Sequence, residues 1–302
     1  MTKSDQLLAV IAGIVVSLIF GLSFLFTKNS LSLMSPIELL ANRFTLAAIF
    51  LFLLNLTGVV RIRLNLKRFA GILPLTLFQP ILYFLGETFG IQLTSASESS
   101  LVIALIPVAV TILGGLFLHE QAGWRQWLFV LCSVAGVGMI VLAGSGANLA
   151  VHTAGMAILL LAVAAAAVYN ILSRRYSATY SPLEITTGMM YAGAVFFNLL
   201  RLTAFPAKGF YFQGFTRIGS LFPLIYLGLL SSVGAFFLVN YMLKKMAVAK
   251  VAAFNNLTTV VSVAAGVIFR GEALGPYHLV GGSLILIGVW GINALDKSKA
   301  MG

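Results

Sequence analysis

The chain has 302 residues, of which 60% are hydrophobic and 9% are charged, and its mean hydropathy is +1.03. Soluble domains have about 25% charged residues. This composition therefore excludes a soluble globular protein and indicates an integral membrane protein, whose surface faces the lipid bilayer. The net charge of +11 does not by itself indicate nucleic-acid binding, since Lys and Arg residues beside membrane spans set their orientation.

Ten apolar segments follow one another along the chain, and a helix needs about 20 such residues to cross the hydrocarbon core. They are Leu7–Phe26, Ile37–Leu56, Phe69–Leu93, Ser97–Leu118, Gln126–Ala143, Thr153–Ser173, Leu183–Ala204, Ser220–Leu243, Val248–Phe269 and Tyr277–Ala294. Barrel strands are excluded because they need only about ten residues and alternate apolar with polar positions. We therefore predict an all-α integral membrane protein of ten transmembrane helices.

The basic residues are distributed unequally between the two sides of these spans. With the N-terminus inside, the inner segments carry 13 of the 19 Lys and Arg residues. Positive loops face the cytoplasm, so we predict that both termini are cytoplasmic, in a bacterial or archaeal inner membrane. Most of the positive charge thus serves to orient the helices in the membrane, and nucleic acid is not an expected partner.

The two halves of the chain repeat one another at an offset of 152 residues. The motif F-x-x-E-x-x-G occurs at Phe117–Gly123 and again at Phe269–Gly275. Five spans per half is an odd number, so the halves must lie in opposite orientations. We predict an inverted repeat, residues 1–146 and 147–302, in one membrane domain, an arrangement that is common in secondary transporters.

Several short motifs occur together in a specific order. They are Gly21-Leu-Ser-Phe-x-x-x-Lys28, Pro36 with Asn42-Arg43-Phe44, Ser95-Ala-Ser-Glu-Ser-Ser-Leu-Val, and Ile106-Pro107-Val108. With the paired glutamates Glu120 and Glu272, this order resembles the EamA-type exporters of the drug/metabolite transporter superfamily. The resemblance covers nearly the whole chain and implies transport, commonly efflux, of amino acids and related small metabolites.

One departure from that family pattern lies in the second half. The chain has Thr258-Thr259 where the first half has Ile106-Pro107, and the family often has a proline in both halves. Pro107 removes a backbone N–H and clashes with the carbonyl of Ile103, which kinks the helix and leaves this carbonyl without its helical partner. The freed carbonyl can contact a ligand, or the kink can be purely structural. The two halves are therefore expected to bend differently.

Glu87 lies well inside the third span, where a lone carboxylate costs about 2.5–3.5 kcal/mol on insertion scales. It therefore needs a cationic partner or a proton. Arg43 falls at a similar depth in the second span, so we predict an ion pair between them, either structural or able to open for the carboxylate and ammonium of an amino acid. A proton is the candidate coupling ion because a desolvated carboxylate favours its neutral form.

Other polar residues within the spans are candidates for contact with the substrate. Most such groups bond across helix contacts, at about 0.6 kcal/mol each. The family resemblance implies that helices three, six, eight and nine flank the cavity. On this basis the further candidates are Tyr83, Asn170, Asn240 and Asn255. Asn42, a polar residue of the second span, is also a candidate, beside Glu87, Arg43 and Pro107.

Four further features favour structural roles. Glu120 and Glu272 each precede a new helix, where a carboxylate can cap backbone N–H groups. Lys28 can extend to the membrane interface or attract an anionic substrate. The residues Gly13, Ser17 and Gly21 are spaced by four and form a small-residue stripe on which another helix can pack closely.

Enzyme chemistry has little support in the sequence. His119, His152 and His278 lie near span ends and are not grouped like metal ligands, and there is no phosphate-binding loop, nucleophile elbow or carboxylate cluster. We predict no enzyme activity, no cofactor and no bound metal.

The sequence thus predicts a secondary transporter that works by alternating access and exports amino acids or related metabolites. Membrane lipid and a small-molecule substrate are the expected partners. The alternatives are a broad amphiphile or drug exporter, a sugar-phosphate exchanger, which would need several basic side chains facing the cavity, and a lipid flippase-like membrane protein or an accessory scaffold.

Overall fold

The structure is a computed structural model that describes residues 3–62, 65–118, 123–143, 149–204, 213–216, 218–252 and 254–299. These residues form helices and connecting loops, with no strand among them. The main helices in chain order are α1 Lys3–Ser30, α2 Pro36–Leu56, α3 Leu66–Leu93, α4 Ala96–Ile103 with Ile106–Leu118, α5 Trp124–Ala143, α6 Leu149–Tyr176, α7 Pro182–Thr203, α8 Ile218–Ile225 with Tyr226–Ala235 and Phe236–Lys245, α9 Val248–Ala252 with Asn255–Arg270, and α10 Pro276–Lys299.

The lengths of these helices fit a membrane-spanning bundle. In the described part of the chain, nine of them, α1 to α9, are long and apolar enough to cross a bilayer. The tenth, α10, has a shorter apolar segment, Pro276–Ile292, within its 24 residues. The predicted all-α, ten-helix membrane fold is therefore confirmed.

The helix boundaries repeat between the halves with the predicted spacing. Helix α3 ends at Leu93 and α8 at Lys245, and α4 begins at Ala96 and α9 at Val248, so both pairs lie 152 residues apart. Because each half contributes five helices to the bundle, the halves are inverted relative to one another. The exact division at residues 146 and 147 lies outside the described residues and stays a prediction.

Helices α2 and α7 begin with the same local structure, 146 residues apart. In each, a serine precedes a proline at the first helical position, and the serine hydroxyl accepts a hydrogen bond from the backbone N–H of a glutamate three residues later. The pairs are Ser35 with Glu38 and Ser181 with Glu184. Proline fits this position because its missing N–H would have no helical partner there. The repeat therefore extends to the second helix of each half.

Helix packing follows the same symmetry. Helix α2 packs against its counterpart α7, and α5 packs against its counterpart α10. Helix α1 packs against α8 and α9, while its counterpart α6 packs against α3 and α4. Each half therefore buries its helices against those of the other half, and the cavity described below lies between them.

The small-residue stripe of α1 packs on α9. A Cβ added at Gly13 would lie 2.5 Å from the ring of Phe254, and one added at Gly21 would lie 2.5 Å from the side chain of Val261. Between them, the Ser17 hydroxyl donates to the backbone carbonyl of Phe254 at 2.9 Å. The packing role predicted for this stripe is thus confirmed.

Helices α3 and α8 are both irregular near the middle of their length. Residues Leu77–Leu82 of α3 and Tyr226–Ala235 of α8 form wide π-helical turns. Within the first, Gln79 has the extended values φ −147° and ψ 119° and is followed by Pro80, a residue that disfavours the helical conformation of its predecessor. Irregular turns of this kind are frequent at functional sites.

The bundle has two ends, each named here after one residue. The Glu98 end contains the C-terminus of α1 and the N-terminus of α4, and the Arg68 end contains the N-terminus of α3 and the C-terminus of α6. At the Arg68 end, the Arg68 guanidinium donates to Glu184 at 2.7 Å and to the carbonyl of Thr179 at 3.0 Å, and it stacks on the Tyr180 ring. This contact links α3 to the start of α7.

Candidate functional site

A cavity lies between the halves and is lined by α1, α2, α3, α4, α6, α8 and α9. Its polar side chains from the first half are Ser23, Arg43, Gln79, Tyr83 and Glu87. Those from the second half are Asn170, Ser231, Asn255 and Thr258. The remaining lining is apolar and partly aromatic. The cavity volume is about 60 Å³, and since one water molecule needs about 10–15 Å³, the space suits a small polar ligand.

Arg43 is buried in α2, with 2% of its surface exposed. Its Nε donates to the Ser232 hydroxyl at 2.7 Å, and its Nη2 donates to the Ser231 hydroxyl at 2.9 Å. The guanidinium carbon lies 4.4 Å from the centroid of the Phe84 ring, a distance at which the ring face attracts a cation. The guanidinium is therefore held in place by neutral groups and makes no salt bridge to a carboxylate among the described residues.

Glu87 lies on the same side of the cavity, two turns before the end of α3, and is 5% exposed. Its Oε1 accepts a hydrogen bond from the Tyr83 hydroxyl at 2.8 Å, because residues four apart share one face of a helix. No other hydrogen bond to the Glu87 carboxylate comes from the described residues. A buried carboxylate with a single neutral donor retains capacity for a cationic ligand.

The predicted ion pair between Arg43 and Glu87 is wrong for this conformation. Both residues are described, and their charged atoms do not come within the 4.0 Å of a salt bridge. Ser231 and Ser232 of α8 occupy two of the guanidinium donors instead. The cavity therefore contains a separated guanidinium and carboxylate.

Five of the eight site residues predicted from the sequence line this one cavity. They are Glu87, Arg43, Tyr83, Asn170 and Asn255. Their helices, α2, α3, α6 and α9, include three of the four that the family resemblance implied. The structure thus brings these five side chains together in one cavity.

Asn42 and Asn240 do not line the cavity. The Asn42 amide oxygen accepts from Arg201 at 3.2 Å, on the side of α2 that faces α7. Asn240 is fully buried, and its amide oxygen accepts from Tyr169 and Ser173. Its amide nitrogen donates to the Thr186 hydroxyl at 3.0 Å. Contact between Asn240 and a substrate would require these bonds to break, so its amide acts between helices here.

Pro107 is also buried away from the cavity. Helix α4 is interrupted at residues 104–105, shortly before Pro107, so the bend that the sequence predicted there is present. The residues that flank this break, Ile103 and Ile106, do line the cavity. The carbonyl of Pro107 accepts from the Thr111 hydroxyl at 3.0 Å. Pro107 therefore shapes the wall without facing the space.

A polar network that the sequence did not predict closes the Glu98 end. The Nε2 atoms of His152 and His278 lie 3.2 Å and 3.1 Å from the same oxygen of Glu98. The other Glu98 oxygen accepts from the backbone N–H of Ser95 at 3.1 Å. Two of the three histidines thus share one carboxylate oxygen, a contact that the sequence did not indicate. No three His, Cys, Asp or Glu side chains among the described residues form a metal-binding group.

Glu272 has the capping role predicted for it, but on a different helix. It accepts from the backbone N–H groups of Ala96 and Ser97, both at 3.0 Å, and from the Ser97 hydroxyl at 2.6 Å. It therefore caps α4 of the first half rather than the helix that follows it. Its repeat partner Glu120 lies outside the described residues, as does His119.

Lys28 caps the C-terminus of α3, at the same end of the bundle. Its ammonium donates to the backbone carbonyls of Ile91 at 2.7 Å, Gln92 and Thr94 at the C-terminus of α3. A cation stabilises this end of a helix because the unpaired carbonyls carry partial negative charge. Lys28 consequently does not face the cavity.

Comparisons with known proteins agree with this architecture. A family model described as the EamA-like transporter family matches residues 7–142 and 153–294. The chain is 36% identical to a Bacillus subtilis protein named uncharacterized transporter YcxC, over 100% of this chain and 98% of that one. It is 31% identical, over 66% of this chain and 64% of the relative, to a Streptantibioticus cattleyicolor protein named probable terminal-alkyne amino-acid exporter. A solved structure with 19% identity covers 96% of this chain with a TM-score of 0.68, which shows a shared fold.

Proposed function

Because the chain belongs to the EamA-like transporter family, we propose that it is a secondary transporter that exports amino acids or related small metabolites by alternating access. We further propose that it lies in the inner membrane with both termini in the cytoplasm, as the distribution of basic residues predicts. The Arg68 end is then the cytoplasmic end and the Glu98 end the outer one.

The observation that carries the proposal is the separated pair of charges in the cavity. A free amino acid has a carboxylate and an ammonium group on one carbon. Arg43 can donate to the carboxylate, and Glu87 can accept from the ammonium, since neither is already paired with a charged group of the protein. A zwitterion neutralises both buried charges at once, which offsets part of the cost of desolvating them.

The name of one relative is compatible with this substrate class, since it is described as an amino-acid exporter. The sugar-phosphate alternative loses support from the geometry. Such a substrate needs several cations in the cavity, whereas Arg43 is the one Lys or Arg among the described lining residues and Lys28 binds the end of α3. A zwitterion needs only one cation.

The same carboxylate can couple transport to protons. If a proton and the substrate ammonium compete for Glu87, only one of them binds at a time, and their opposite movement across the membrane is linked. Replacement of Glu87 by Gln removes this competition. Transport by Glu87→Gln should therefore be independent of external pH wherever it can be measured, and an unchanged pH dependence would contradict proton coupling through this residue.

Transport in proteoliposomes tests the proposal. Purified protein is reconstituted, and counterflow is measured with a panel of radiolabelled amino acids. We expect saturable counterflow of some panel members in the wild type. Arg43→Gln and Glu87→Gln should each lower kcat/KM by about 100-fold, because a hydrogen bond between charged groups contributes about 1.5–3 kcal/mol.

The matched control is Arg125→Gln. Arg125 is exposed at the Arg68 end and stacks on Trp124 outside the cavity, so its replacement removes one positive charge without touching the site. It should transport as the wild type does. If the folded wild type shows counterflow of no amino acid, the proposed substrate class is wrong. If Arg125→Gln loses as much transport as Arg43→Gln, the effect of Arg43→Gln does not show that Arg43 binds the substrate.

A further inference from the structure

Two amides that line the cavity have no hydrogen-bond partner among the described residues. Gln79 is 5% exposed and Asn170 is 9% exposed, and neither side chain makes a hydrogen bond to any described residue. Two other span amides are bonded within the protein: Asn240 is fully bonded, and Asn198 donates to the Thr45 hydroxyl at 2.7 Å. Neither Gln79 nor Asn170 is among the residues with a fully buried polar atom that lacks a partner. Their amide groups are therefore open to the cavity and available to a ligand.

Their positions connect them to the proposed amino-acid site. Gln79 lies at the interruption of α3, and Tyr83 and Glu87 follow it at intervals of four residues, all lining the same cavity. Asn170 lies on α6 of the other half and faces this space as well. The cavity thus has a charged region formed by Arg43 and Glu87, and uncharged amides contributed by both halves.

A ligand that displaces water from these two amides loses the hydrogen bonds that the water made. A ligand that brings a donor and an acceptor recovers them. Arg43 and Glu87 are the charged residues among the described lining side chains, and the carboxylate and ammonium of the substrate occupy both. The two amides then remain available to the substrate's side chain. A charged side chain on the substrate would find no oppositely charged residue in the described part of the cavity.

We propose that Gln79 and Asn170 hydrogen-bond the side chain of the substrate, so that amino acids with an uncharged hydroxyl or amide side chain are the preferred substrates. This inference rests on the proposed function and assigns the side-chain specificity of the same site. An amide suits such groups because it offers both a donor and an acceptor. A site built to hydrogen-bond a substrate group rejects an analogue of equal size that lacks it.

Pairs of amino acids with equal shape test the inference. Counterflow in proteoliposomes is measured for threonine against valine and for asparagine against leucine, and the ratio of kcat/KM within each pair is the readout. We expect the wild type to prefer the hydrogen-bonding member by about tenfold, the effect of one or two such bonds. Gln79→Met and Asn170→Leu should each lower the ratio several-fold while valine and leucine are still carried.

The transport of valine and leucine serves as the internal test of folding for both variants. Asn198→Leu is the matched control, because it removes a span amide that is already bonded to Thr45 outside the cavity. It should keep the wild-type ratio. Equal transport within each pair by the wild type, or an unchanged ratio in both cavity variants, would overturn the inference and leave amino-acid transport standing. Failure to carry any amino acid would overturn the proposed function and this inference with it.

Discussion

The two halves of the molecule share one fold but contribute different side chains to the cavity. Their helix boundaries coincide at an offset of 152 residues from α3 to α4 and from α8 to α9. The charged side chains of the cavity, however, come from the first half alone among the described residues. At the same offset, the counterpart of Glu87 is Val239, which also lines the cavity, and the counterpart of Tyr83 is Ala235.

The conformational change of transport and the binding of the substrate place different requirements on the two halves. Inverted halves give two ends of similar architecture, which alternating access uses. A single amino acid has one carboxylate and one ammonium group, so one guanidinium and one carboxylate are sufficient to bind it. A second copy of each in the other half would add buried charges that a single zwitterion could not neutralise.

The largest expected effect comes from moving the carboxylate between the halves. Glu87→Val should lower kcat/KM by about 100-fold, and the added substitution Val239→Glu should not restore it, although Val239 lines the same cavity. The new carboxylate would lie on α8 instead of α3, so it would approach the substrate from another wall of the cavity, and Ala235 could not orient it as Tyr83 orients Glu87. Counterflow of an amino acid found to be a substrate provides the measurement. Full recovery in the double variant would show that the halves are interchangeable.

Glu272→Gln tests the connection between the halves, with a smaller effect. Glu272 of the second half caps α4 of the first through two backbone N–H groups and the Ser97 hydroxyl. Loss of its charge should lower the free energy of unfolding by about 2 kcal/mol, measured by thermal or detergent unfolding in micelles. Unchanged stability would mean that the cap does not hold the halves together.

Tyr83→Phe should have a moderate effect on transport and little on stability. It removes the hydroxyl that donates to Glu87 and leaves the ring in place, so the carboxylate becomes less well oriented. We expect kcat/KM to fall about fivefold, the effect of one hydrogen bond of about 1 kcal/mol. A loss as large as that of Glu87→Val would instead indicate that the hydroxyl contacts the substrate itself.

Thr259→Val addresses the place where the second half departs from the first. The Thr259 hydroxyl lies 3.0 Å from the carbonyl of Ser100 in α4 and 3.0 Å from that of Asn255 within α9. Valine keeps the shape and removes the hydroxyl, so the free energy of unfolding should fall by about 0.6 kcal/mol, as for other hydrogen bonds between membrane helices. Transport by Thr259→Val should remain close to that of the wild type, and a large loss would place Thr259 in the mechanism.

The helices and the repeat could be predicted from the sequence because the bilayer imposes them. Each crossing needs about 20 apolar residues, so the spans are visible as runs, and the recurring F-x-x-E-x-x-G motif marks the halves. Glu87 and Arg43 could be found for a related reason. A charged residue deep in an apolar helix faces the protein interior or a cavity rather than lipid.

The partners of these residues could not be predicted in the same way. Ser231 and Ser232 bind Arg43 although they lie 188 and 189 residues away, and serines give no distinctive signal in an apolar helix. The same applies to Glu98, whose histidine partners lie 54 and 180 residues from it. Asn240 was a candidate because it is a polar residue on the eighth helix, whereas its contacts with Tyr169, Ser173 and Thr186 depend on how α6, α7 and α8 pack.

The most direct test of the central claim changes the ligand and the protein together. Inhibition of counterflow is measured for a transported amino acid, its N-acetyl derivative, which lacks the ammonium, and its methyl ester, which lacks the carboxylate. The wild type should reject both derivatives. Glu87→Gln should lose discrimination against the N-acetyl derivative alone, and Arg43→Gln against the methyl ester alone. If both variants still reject both derivatives as strongly as the wild type, Arg43 and Glu87 do not bind the two charged groups of the substrate.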